Sequence, residues 1–256
     1  MQPPRTMTMG MATHIEIMRI HMTTLVGTTM DETALYRLMT WLSPAYPIGA
    51  FCHSSGIEWA VEAGWIFDRA STLSWLETVL RDGASWNDAV LFRHAHRAAR
   101  EQNCAQLRAV AELAAAAHPA AERRQEQLSQ GAAFRRAAVQ SGTAPDILRE
   151  FEGDLAYPVA VAVVAAAYAI PVTFALTAFL QSSVTNLVSA AQRLVPIGQT
   201  DAQMIIAALQ PTVDAVGRRA AALGDGDPFD ALGSATLLAD LAAILHETQY
   251  TRLFRT

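Results

Sequence analysis

Imidazole and thiolate are the side chains that hold transition metals and activate nucleophiles, so the seven histidines and two cysteines come first. Cys52 and His53 are adjacent, and both suit a borderline-soft metal; a transient metal relay here is the sharpest chemical reading. Against it stands a plainer one, a small buried cysteine beside a polar loop histidine. His94 and His96 are two apart on a helical stretch and point to different faces, so they cannot chelate together. His118 and His246 look isolated, and His14 and His21 lie among methionines near the N-terminus. Neither Cys52 nor Cys104 belongs to a CxxC pair, which argues against a disulfide scaffold and a cysteine zinc site and for reduced thiols in the cytosol. HExxH, GxSxG and Rossmann glycine patterns are absent. Asp88, Glu112 and Asp154 stand singly, which gives general acid–base catalysis little to work with.

One absence excludes whole enzyme classes. All nineteen basic residues are arginine. A GC-rich genome explains the bias, but the chemical consequence holds: a P-loop, a pyridoxal Schiff base and a protein kinase each need a lysine. The net charge of −5 argues against a nucleic-acid partner, because neutralising phosphates needs excess positive charge.

The elements that must carry these residues are helical. With 52% apolar and 17% charged residues in 256, the chain can bury a large core in one domain or two tightly packed ones. Leu35, Leu38, Met39 and Leu42 share a helical face, with Asp31 placed to cap it. Leu73, Leu76 and Leu80 follow Ser71; Ser85 with Asp88 opens another helix; Leu107, Val110 and Leu113 mark a fourth. Residues 120–140 are good helix formers, and Thr200 with Gln203 forms a capping box. Leu237, Leu238, Leu241, Ile244 and Leu245 give the clearest stripe. No alternating β-branched run survives. The expectation is an all-α domain of about ten helices, bundle-like or orthogonal, over residues 31–249, with a loop at Gly224–Pro228. Residues 1–30 lack a continuous apolar segment and read as a disordered leader, with Met22 or Met30 as alternative starts. Residues 155–192 carry no charge and are long enough to cross a bilayer, but Pro158, Pro171 and the run of Gln181, Ser182, Ser183, Thr185 and Asn186 favour two buried helices.

Three stretches are not explained by helix packing. SPAYPIGAFCHSSGIE, from Ser43 to Glu58, stops one helix at Pro44, Pro47 and Gly49 and starts another at Ser54 or Ser55. RLVPIGQ, from Arg193 to Gln199, connects two helices, and Arg193 ends the uncharged run and so marks the surface. The terminal HETQYTRLFRT, residues 250–256 above all, mixes Tyr250, Leu253 and Phe254 with Arg252 and Arg255, and so short a peptide must dock on its own body or on another chain.

Together with AAERRQEQLSQG in the middle, these stretches resemble the urease accessory protein F family, in order from Leu35 to Arg255. The resemblance implies an all-α cytoplasmic homodimer, neither an enzyme nor bound to a membrane. It implies an adaptor that bridges accessory protein D (also called H) and the GTPase accessory protein G during nickel insertion into apo-urease. This chain would then hold no cofactor, and the complex would handle nickel and GTP. Carried over, Tyr250, Thr251, Arg252, Leu253 and Phe254 fall on the D/H interface. Arg193, Pro196, Gly198 and Gln199 fall on the GTPase-docking loop, so Arg193→Ala is expected to lose the GTPase and keep D/H. Pro44, Pro47, Gly49, Ser54, Gly56 and Glu58 fall on a motif that shapes the interior and a path for the ion. Cys52–His53 and Ser55 depart from the family's usual residues, so the resemblance carries no role over to those side chains. The competing functions are a helical enzyme or carrier with an apolar interior pocket, and an integral membrane protein.

Overall fold

A computed structural model describes residues 30–256; residues 1–29 of the expected leader, with His14, His21 and Met22, lie outside the described residues, while Met30 packs against the core. Among the described residues there are eleven α-helices and two 3₁₀ turns, with no strand. They are α1 (Glu32–Trp41), α2 (Ile57–Glu62), α3 (Arg69–Asp82), α4 (Ala84–Arg100), α5 (Cys104–Ala116), α6 (Ala121–Gln140), the single turn α7 (Asp146–Arg149), α8 (Tyr157–Ala167), α9 (Val172–Ala191), α10 (Gln199–Ala221) and α11 (Leu237–His246). The 3₁₀ turns are Ala50–Cys52 and Pro228–Ala231.

The core is built around α8. A helix that is apolar all round must be covered all round, and every residue from Tyr157 to Ala166 is buried. Pro158 sits in its first turn, where a missing N–H costs nothing. Helices α4, α6 and α9 pack on it, and α10 closes over α9 and α3. The approach of α6 is close because Gly131 lies against the Leu155 carbonyl, where a Cβ would come within 1.8 Å of the oxygen. Helix α9 alone among the described residues is long and apolar enough to cross a bilayer, yet half of that stretch is buried inside the protein. The two-buried-helix expectation describes this pair.

Several local expectations are corrected. Asp31 does cap α1, accepting the Ala34 N–H at 2.6 Å. Helix α3, however, is capped by Asp68, and Ser71 is the reciprocal partner within its first turn. Helix α4 begins after Gly83, and Ser85 and Asp88 face inward. Helix α10 begins at Gln199, one residue before Thr200; the carboxylate of Asp201, and not Gln203, accepts the Gly198 N–H. Short polar side chains compete for the same orphan amides, so spacing alone could not choose among them. The largest difference is α11. It buries Ala242, Ala243 and His246 against α2, and its leucine stripe faces outward, with Leu237 69% and Leu238 53% exposed. Gly56 allows this approach, since a Cβ there would meet the Ala243 backbone nitrogen at 2.7 Å. A side chain smaller than leucine lets the helix axes come closer, so the small face is the one that docks.

Candidate functional site: three irregular stretches at one place

Residues 43–58, the loop after α9 and the terminal peptide converge. The guanidinium of Arg193 lies 3.8 Å from the ring centroid of Phe51 and 4.1 Å from that of Phe254. Such cation–π stacking draws one residue from each stretch into a single contact. Arg193 is therefore half-buried between rings and does not simply mark the surface.

Below this stack the tail is held by hydrogen bonds to buried groups. Arg255 N–H donates to the Cys52 carbonyl at 2.8 Å, and Ser54 N–H to the Thr256 carbonyl at 2.7 Å. The Ser54 hydroxyl donates to that same carbonyl at 2.5 Å and accepts Glu58 N–H at 3.3 Å. Gly56, in the left-handed region at φ +84°, is the residue that precedes α2; Ser54 supplies the side-chain acceptor that a cap would.

Glu58 is the main anchor. Its two oxygens accept the Leu253 N–H at 2.6 Å and the Phe254 N–H at 2.9 Å. His246, fully buried, places Nε2 3.1 Å from Glu58 and Nδ1 2.7 Å from Glu122 at the head of α6. Glu122 also receives Arg252 at 2.5 Å. His246 is thus not isolated but a bridge. Both its contacts are hydrogen bonds only if the ring carries two protons or one carboxyl is protonated. The two carboxylates lie on opposite nitrogens of one ring, so they cannot share an ion with it.

A second buried cluster adjoins the first. Arg123 donates to Ser55 Oγ at 2.5 Å and to Glu126, and the Thr256 hydroxyl donates to Glu126 at 2.9 Å. Burial works to raise the Glu126 carboxyl, but the charges of Arg123 and His53 and its hydrogen bonds outweigh it and hold it below the usual range. Burial lowers the His53 imidazole, whose Nδ1 lies 3.1 Å from Thr256 Oγ1. Asp88 is not single either: it accepts Gln127 Nε2 at 3.3 Å, and burial pushes its carboxyl up to about 7. Cys52 is exposed rather than buried, and no three His, Cys, Asp or Glu side chains among the described residues are grouped to hold a metal ion.

The expected site residues divide by exposure. Tyr250, Thr251, Arg252 and Leu253 are exposed and Phe254 is buried. Pro196, Gly198 and Gln199 are exposed beside Arg193. Ser54 and Glu58 are buried under the tail and Gly56 against α11, while Pro44, Pro47 and Gly49 line surface grooves. Sequence reasoning missed Phe51, Glu122, Arg123, Glu126 and His246. Glu122 and Glu126 stand at helical i, i+4 spacing within AAERRQEQLSQG, and that spacing could have placed them on one face.

The UreF family model matches residues 66–210. The urease accessory protein UreF of Bradyrhizobium sp. strain BTAi1 is 50% identical over 232 residues, covering 90% of this chain and 95% of that protein. Its namesake in Rhodopseudomonas palustris strain BisA53 is 51% identical over 87% of this chain and 93% of its own length. That of strain HaA2 is 52% identical over 87% and 94%. With relatives 50–52% identical over 87–90% of its length, this chain belongs to the UreF family.

Proposed function

We propose that this chain is a cytoplasmic, non-catalytic adaptor in GTP-dependent nickel insertion into apo-urease. It bridges accessory protein D/H through the tail and the GTPase accessory protein G through the loop at Arg193, and it works as a homodimer. Nickel and GTP are handled by the complex, in keeping with a chain that has no lysine for a nucleotide phosphate. The observation that carries the reading is the stack of Arg193 between Phe51 and Phe254, which makes the two partner-facing segments neighbours.

The exposed face of α11 supports the same reading. Leu237, Leu238, Leu241, Ile244 and Leu245 recur at helical spacing and are each partly open to solvent, as are Tyr250 and Leu253 of the tail that follows. An apolar helix face left to solvent is a mark of a contact surface. The runner-up, an apolar interior pocket, finds less support, because the apolar centre around α8 is filled by side chains. The test is a pull-down of the tagged chain with the urease accessory proteins, with and without residues 250–256. The full chain should retain both partners. The shortened chain should lose D/H while its helicity stays intact; retention of D/H at full strength refutes the assignment of the tail.

A further inference from the structure

Beneath the tail lies a chamber of about 50 Å³ walled by α4, α6, α8 and α9. Three oxygens on its walls have no partner: Asp88 Oδ1, Gln127 Oε1 and Tyr157 Oη. The residues that carry them are only 6%, 5% and 5% exposed. Buried polar groups are nearly always hydrogen-bonded, so three orphans facing one space call for an occupant.

The chemistry of the walls selects it. The Asp88 carboxyl, charged above pH ~7, and the Gln127 amide oxygen repel an anion. Arg123 is paired with Glu126 on the same wall, and no three His, Cys, Asp or Glu side chains among the described residues are grouped to hold a metal cation. The volume is too small for an organic ligand of ordinary size. Water donates twice and accepts twice, so one molecule can donate to Asp88 and Gln127 and accept from Tyr157. A water needs roughly 10–15 Å³ of such space, which leaves room for up to about three.

We infer that this chamber is a permanent water site, in which ordered waters bridge Asp88, Gln127 and Tyr157 across three helices. It forms the floor of the tail's seat, because Glu126 both lines the chamber and accepts the Thr256 hydroxyl. The inference does not rest on which proteins the tail contacts.

Two measurements on the full chain test it. A high-resolution crystal structure should hold water within hydrogen-bond distance of Tyr157 Oη and of Asp88 or Gln127. Tyr157→Phe keeps the ring contacts with Phe134 and Phe179 and removes only the hydroxyl. If that hydroxyl bonds water, its loss should lower the folded-to-unfolded ratio roughly two- to tenfold in urea denaturation. A dry chamber predicts the reverse, since deleting an orphan hydroxyl relieves a cost. An empty chamber in the crystal, or a ratio unchanged or raised in Tyr157→Phe, overturns the inference.

Discussion

The guanidinium of Arg193 lies 4.1 Å from the centroid of the Phe254 ring, so the loop after α9 and the terminal peptide share a contact. This changes what a substitution at Arg193 should do. Treated as separate sites, loop and tail would let Arg193→Ala lose the GTPase and keep D/H. With the stack present, removing the guanidinium also unseats Phe254. A cation–π contact contributes about 0.5–2 kcal/mol. Amide exchange at Phe254 should accelerate roughly tenfold on that scale, and D/H capture should weaken along with loss of the GTPase. Unchanged exchange at Phe254 would mean that the stack does not hold the tail.

Glu58→Gln tests the anchor below. The carboxylate accepts two backbone N–H groups and faces His246, all in a buried setting. An amide offers one acceptor oxygen and turns its NH₂ toward a second donor, so one N–H is left unpaired. The expected loss is about 1.5–3 kcal/mol, the range for hydrogen bonds to a charged group. Thermal denaturation measures the total, and amide exchange at Leu253 and Phe254 shows whether the loss sits in the tail.

The helical class was legible because apolar spacing survives wherever a helix has one buried face. Helix α4, with Val90 and Leu91 buried, reads correctly. The site was less legible, for two physical reasons. Helix α6 buries Glu126, Gln127, Gln130 and Gly131 beside only Phe134 and Ala138, so the part of its inner face under the tail is polar and carries no apolar stripe. Helix α11 does the opposite, docking by Ala242 and Ala243 and leaving its leucines outside. Periodicity reports amphipathicity, and it does not report which partner covers the apolar side. The convergence of Phe51, Arg193 and Phe254 depends on tertiary packing over most of the chain and has no local signal.

The outward face of α11 gives the next expectation. Leu237→Asp with Leu238→Asp removes apolar surface that is 69% and 53% exposed in this chain, so stability should change by no more than about 0.5 kcal/mol for each substitution. Partner capture or self-association should fall sharply in the same protein. Pull-down and analytical ultracentrifugation, read beside a melting curve, separate the two effects. Collapse of the fold would show instead that the stripe is covered within the monomer.

Gly131→Ala tests the helix contact that seats α6. A Cβ would stand 1.8 Å from the Leu155 oxygen, a backbone atom that cannot rotate away. Overpacking of this kind costs about 3 kcal/mol. Urea denaturation should show a lower midpoint with an unchanged slope. Because Glu122 and Glu126 ride on α6, tail amides should exchange faster as well. A midpoint equal to that of the unsubstituted protein would place the two backbones farther apart than described.

Asp88→Asn isolates a pH effect whose sign is fixed by linkage. Burial raises this carboxyl from 3.8 to about 7 in the folded chain. A raised value means that the folded state holds the proton more tightly. Its stabilisation is fully present below the unfolded value near 4 and is lost as pH rises through about 7. A shift of about three units corresponds to roughly 4 kcal/mol at most. His94, His96 and His118 work in the opposite direction. Burial lowers each to about 4, so their contribution is lost as pH falls from near 6.5 through that value. Those histidines are present in both proteins, so the difference between Asp88→Asn and the unsubstituted chain belongs to Asp88. The two should be nearly equal in stability at pH ~4, where Asp88 is protonated and close in shape to asparagine. The variant should become progressively the more stable toward pH ~8. Parallel denaturation curves across that range would refute a proton held at Asp88.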